Sequence, residues 1–128
     1  MIKSIFKKLS KQKTRIQNQV NLYDLIPQRN FEYEINKENL VNILVPKFSN
    51  KFLVQNLLPR LKAPYIKIKL DEIGSAVWLE IDGQKNVGEI ARQLEERFGE
   101  RIQPIEERLA KFFAQLNSNK FITFKKKE

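Results

Sequence analysis

Tyr65-Ile66-Lys67-Ile68-Lys69-Leu70-Asp71-Glu72-Ile73-Gly74-Ser75-Ala76-Val77-Trp78-Leu79-Glu80-Ile81-Asp82-Gly83 contains one change of period, and that change decides the fold. Its first six residues alternate apolar and charged side chains, the period-two pattern of a strand with one face covered. From Asp71 the period lengthens. Ile73, Val77, Trp78 and Ile81 recur at helical spacing, Asp71 is a good N-cap residue, and Asp82-Gly83 supplies a stop. Further along, Asn86 opens a second helix with Glu89 three residues on as its capping-box partner. Val87, Ile90, Ala91, Leu94 and Phe98 form the stripe of that helix, and Gly99 suits a left-handed stop. Pro104 fits the first turn of a third helix with the stripe Ile105, Leu109, Phe112, Phe113 and Leu116. Phe121-Ile122-Thr123-Phe124 reads as a short final strand. Residues 65–124 are therefore expected to form a winged-helix-like unit of three helices and a returning strand.

Towards the N-terminus, Phe31-Glu32-Tyr33-Glu34-Ile35 alternates cleanly, Asn36-Lys37-Glu38-Asn39 is rich in turn residues, and Leu40-Val41-Asn42-Ile43-Leu44-Val45 follows as a second strand. A lone hairpin is marginal in water, so the strand at 65–70 is the expected third member of the sheet. Between them, Pro46–Pro64 carries Phe52, Leu53, Leu57, Leu58 and Leu61 at roughly helical spacing, and Pro59 and Pro64 confine any helix to about two turns. Asn21–Pro27 reads as a connecting segment whose Leu22, Tyr23, Leu25 and Ile26 can dock on the core. The predicted fold class is α+β: a winged-helix-like three-helix bundle with an N-terminal three-stranded antiparallel sheet and a short C-terminal strand. The predicted organisation is a basic arm, 1–20, ahead of a single domain, 21–128, in which 31–64 is hairpin and insert.

Composition removes most chemistry. A chain of 128 residues with 41% apolar residues and nine Phe is one domain's worth of globular protein. It has no Cys, so no disulfide, thiolate metal site or thiol nucleophile, and no His, the commonest general base and metal ligand. The adjacent acid pairs Asp71-Glu72, Glu95-Glu96 and Glu106-Glu107 point in different directions on a helix and make no ready acid/base couple. The four glycines never assemble into a phosphate-cradling loop. No enzyme activity, cofactor or metal is expected. No segment reaches the ~20 apolar residues of a membrane span, and the expected location is the cytoplasm.

The net charge of +9 is uneven: Lys3, Lys7, Lys8, Lys11, Lys13 and Arg15 give the first twenty residues +6, with no acid among them. The remainder carries only +3, much of it from Lys125, Lys126 and Lys127. Ile2, Ile5, Phe6 and Leu9 make the arm weakly amphipathic, so membrane contact through it is a minor reading beside that of a solvated leader. Nucleic-acid binding is disfavoured on the helices themselves. The third carries Glu106 and Glu107 against Arg108 and Lys111, a net of zero, and the second has a net of −1.

What remains is the sheet edge. An edge strand leaves N–H and C=O groups on which another chain can add. Lys67 and Lys69 read equally as guards against such pairing and as attractors of an acidic peptide, and alternation alone does not separate the two. A homodimer through the same edge is a third reading.

The run Lys69-Leu70-Asp71-Glu72-Ile73-Gly74-Ser75-Ala76-Val77-Trp78-Leu79-Glu80-Ile81-Asp82-Gly83-Gln84-Lys85-Asn86-Val87-Gly88-Glu89-Ile90 resembles the signature of the coenzyme PQQ synthesis protein D family. Leu94, Phe98, Gly99, Ile105, Leu109, Phe113, Leu116 and Phe121-Ile122 continue the pattern. The resemblance implies a precursor-peptide recognition element, a three-stranded sheet on a three-helix winged bundle. Such proteins are not enzymes. They bind the leader of a ribosomally made peptide as an added strand beside the third strand and against the third helix, and present it to a modifying enzyme, often a radical SAM protein. Carried onto this chain, the strand contacts are Ile66, Lys67, Ile68, Lys69 and Leu70, and the helix face is a geometric assignment to Arg108, Lys111, Phe112 and Gln115. The basic arm and the insert at 46–64 are additions to the compact family pattern.

Overall fold

The structure is a computed structural model that describes residues 21–48 and 51–126, so the arm predicted at 1–20 lies outside the described residues. In chain order the elements are a 3-10 turn (Leu22–Asp24), β1 (Leu25–Arg29), β2 (Glu32–Ile35), β3 (Val41–Pro46), α1 (Lys51–Asn56), a 3-10 turn (Leu58–Arg60), β4 (Tyr65–Lys69), α2 (Glu72–Glu80), α3 (Val87–Phe98), a 3-10 turn (Gly99–Ile102), α4 (Ile105–Ser118) and β5 (Ile122–Lys126). The class is α+β with two small antiparallel sheets. The chain divides into two compact units, Phe31–Ser75 and the segments on either side of it, up to Asn30 and from Ala76 onward.

In the unit Phe31–Ser75, β2, β3 and β4 form the expected three-stranded sheet with β3 in the centre. The hairpin closes through Asn36, whose side chain accepts from the N–H groups of Glu38 and Leu40 at 2.9 and 3.1 Å. Asn39 takes the left-handed conformation, φ 66°, a position that asparagine tolerates better than most residues. The insert holds the short helix α1 and a 3-10 turn with Pro59 in it, as its prolines require.

The other unit is built on α3. Its capping box is complete: the Glu89 N–H donates to Asn86 Oδ1 at 2.8 Å, and the Asn86 N–H to Glu89 Oε1 at 2.9 Å. The helix ends at Gly99, φ 55°. α3 packs on α4, on β1 and on the 3-10 turn Leu22–Asp24, and α4 packs on β5. Trp78 and Phe113 are fully buried here, and the Phe113 and Phe124 rings lie 6.2 Å apart.

Two expectations are corrected. Helix α4 starts at Ile105, with Pro104 in extended geometry one position ahead of it. The segment read as a connection at 21–27 instead runs into a strand, and β1 pairs antiparallel with β5, so the C-terminal strand has a partner of its own. Pro27 lies in the middle of β1, yet its missing donor costs nothing. The Asn30 N–H donates to the Phe121 carbonyl, which makes 30/121 and 28/123 hydrogen-bonded pairs and puts Pro27, opposite Phe124, at a position whose N–H would point away from β5.

Candidate functional site

Strand β4 is an edge: β3 lies on one side, and no strand pairs with the other among the described residues. Which of its backbone groups face outward follows from register. β3 and β4 pair Ile43 with Ile68 and Val45 with Ile66. The Leu70 N–H donates to the Val41 carbonyl at 2.9 Å and the Lys47 N–H to the Pro64 carbonyl at 3.1 Å, in the same register. Hydrogen-bonded pairs alternate along an antiparallel ladder, so Ile66, Ile68 and Leu70 turn their N–H and C=O groups towards β3. Tyr65, Lys67 and Lys69 therefore present theirs to the open side. Sequence could place the strand but not this parity, because it depends on hydrogen bonds beyond both strand ends.

The last rung is bridged by a side chain. The Val41 N–H donates to Ser75 Oγ at 2.8 Å, and the Ser75 hydroxyl donates to the Leu70 carbonyl at 3.4 Å. Ser75 is buried, and so is Leu70. Sequence reading passed over this serine, since nothing in the spacing marks a helical hydroxyl as a sheet terminator.

Residues directly opposite one another share a face. One face thus carries Tyr33, Ile35, Val41, Ile43, Val45, Ile66, Ile68 and Leu70, and the other, the more polar, carries Glu32, Glu34, Asn42, Lys67 and Lys69 together with Leu44 and Tyr65. On the apolar face Val41 and Ile43 are fully buried, whereas Ile66, at the edge, stays 51% exposed. The polar face is wired across β3. Asn36 Nδ2 donates to Asn42 Oδ1 at 3.0 Å, Asn42 Nδ2 to Glu34 Oε2 at 2.9 Å, and Lys67 Nζ lies 3.0 Å from the same carboxylate. The Asn42 and then the Lys67 hydrogen bonds hold the Glu34 carboxyl below its ordinary pKa. Lys69 pairs in the same way with Glu38.

The four residues assigned to the third helix also fall together, on one outward stripe of α4 at i, i+3, i+4 and i+7. Arg108, Lys111 and Gln115 are exposed and Phe112 is half-buried, its ring edge-on to Phe113 at 6.3 Å. Arg108 Nη1 donates to the Arg101 carbonyl at 2.6 Å, which fixes the guanidinium near the start of the helix.

A separate cleft of about 550 Å³ lies between the 3-10 turn Leu22–Asp24, α3 and the start of α4. Asp24, Glu89, Glu95 and Glu106 line it against the single cation Arg92, so it repels phosphate groups. Burial first, then Glu106 and Glu95, push the Tyr23 phenol above its ordinary pKa, which leaves it a proton donor and no base at neutral pH. Among the described residues no cluster of three or more potential metal ligands occurs, and no helix is long and apolar enough to cross a membrane.

Residues 66–122 match the family model of Coenzyme PQQ synthesis protein D (PqqD). This segment is PqqD-like. It runs from the second residue of β4 to the first of β5 and covers somewhat less than half of the 128 residues. The match covers the run 69–90 and its continuation to Phe121-Ile122, that is α2, α3 and α4, while β1, β2, β3 and α1 lie outside it. No curated protein and no solved structure matches the chain.

Proposed function

We propose that this protein is a non-catalytic adaptor that captures the leader of a ribosomally made precursor peptide by strand addition to β4 and presents it to a modifying enzyme. The observation that carries the proposal is the outward row of backbone groups at Tyr65, Lys67 and Lys69, at the start of a PqqD-like segment. Strand addition draws its affinity from such main-chain groups and its selectivity from alternate side chains. On this reading Ile66 and Ile68 supply side-chain contacts, and Leu70 anchors the end of the strand. Arg108, Lys111, Phe112 and Gln115 are further contacts for the leader, on the strength of the family resemblance. The body is winged-helix-like, and the partner enzyme is of the radical SAM class.

Proline substitution tests the reading directly. Lys67→Pro deletes an outward donor that the sheet does not use, and Ile68→Pro deletes an inward one that it does. The probe is a peptide selected from a displayed library of random nonapeptides on the full chain. Lys67→Pro should abolish its capture while leaving thermal stability close to that of the parent, and Ile68→Pro should lower stability. Amide exchange at Lys67 and Lys69 should slow when the probe binds. Unchanged capture by Lys67→Pro would move the site elsewhere.

A further inference from the structure

We infer that the β4 edge selects an extended peptide in which acidic side chains alternate with apolar ones. This inference rests on the strand-addition reading. Tyr65, Lys67 and Lys69 would form hydrogen-bonded pairs with an antiparallel guest, so the guest residues opposite Lys67 and Lys69 would stand on the polar face beside two ammonium groups. The residues between them would stand opposite Ile66 and Ile68 in the closer, non-hydrogen-bonded pairs, on the apolar face. There the half-exposed Ile66 offers surface to cover. From Lys69 back to Ile66 the matching guest reads acidic, apolar, acidic, apolar.

Both lysines already have carboxylate partners, Glu34 and Glu38. Those pairs are solvent-exposed, with Lys67 and Lys69 side chains 59% and 53% accessible, and an ammonium group has three donors to share. Glu32 and Glu34 sit on β2, two strand spacings from β4 on the side away from the guest, so the lysines are the nearer charges to a guest strand. The same lysines argue against a second copy of the chain as the occupant. Outward-facing residues pair only with outward-facing residues, and most antiparallel registers of β4 with itself put Lys67 or Lys69 opposite another lysine. Like charges directly opposite are destabilising.

The test reads the sequences of nonapeptides selected from a random displayed library on the full chain, and on a Lys67→Glu/Lys69→Glu variant. The parent should select peptides alternating Asp or Glu with Val, Ile or Leu, and the variant should select peptides alternating Lys or Arg with the same apolar residues. Each synthetic winner should bind the opposite protein about tenfold more weakly by fluorescence anisotropy. Selected peptides that lose binding on Lys67→Pro but show no alternation would overturn this inference and leave strand addition standing. Selected peptides indifferent to Lys67→Pro, or none selected at all, would overturn both. A parent chain that sediments as a dimer and becomes monomeric on Lys67→Pro would overturn the argument against a second copy, and the inference with it.

Discussion

At the scale of single residues, Ser75 and Glu34 set how well the sheet unit holds its edge. The Ser75 hydroxyl stands in for one missing rung, accepting from Val41 and donating to Leu70. Ser75→Ala leaves a buried N–H without its acceptor, and urea unfolding should show a loss of about 2 kcal/mol. Glu34 works through charge. Its carboxyl titrates below its ordinary value in the folded chain, so its contribution is complete above the unfolded value and is lost as pH falls through the folded one. Asp82 is depressed in the same direction, by the Lys85 and Gln84 backbone N–H groups. Glu34→Gln should therefore remove part, not all, of the acid-side fall in melting temperature, measured over the carboxylate range. Lys85 acts at the opposite end: its hydrogen bond to Glu80 raises its pKa, so its share of stability is present at neutral pH and is lost as pH rises through the raised value.

At the scale of elements, legibility tracked how local the determining signal was. The capping box of α3 needs only Asn86 and Glu89, three positions apart, and it was plain in the sequence. Asn86→Ala should cost about 1 kcal/mol, checked by denaturant titration. The three strands of the sheet were equally plain, because alternation is a property of each strand alone. Strand β1 was hidden, because Pro27 reads as a breaker until its register with Phe124 is known. The direction of the edge groups was hidden for a related reason: the residues that reveal it, Lys47 with Pro64 and Val41 with Leu70, lie just outside β4. The two assigned sets of site residues each share one strand or one helix face, as periodicity alone can arrange, but only the ladder distinguishes Lys67 from Ile68 as a hydrogen-bonding position.

For the molecule as a whole, positive charge is concentrated in one stretch of the sequence. Six of the nine net positive charges belong to residues 1–20, while α3 and α4 carry as many or more acids than bases. Retention on a heparin column at low salt should therefore fall sharply when Lys7, Lys8, Lys11 and Lys13 are changed together to Gln, and hardly at all for Arg108→Gln/Lys111→Gln. The pairing of β1 with β5 carries a different consequence. Asn30 and Thr123, whose side chains meet beside that ladder, are separated by 93 positions. During synthesis the first strand cannot pair until Ile122–Lys126 have been added, long after it has itself been made. A chain that stalls before Ile122 therefore leaves the backbone groups of β1 without the strand that satisfies them.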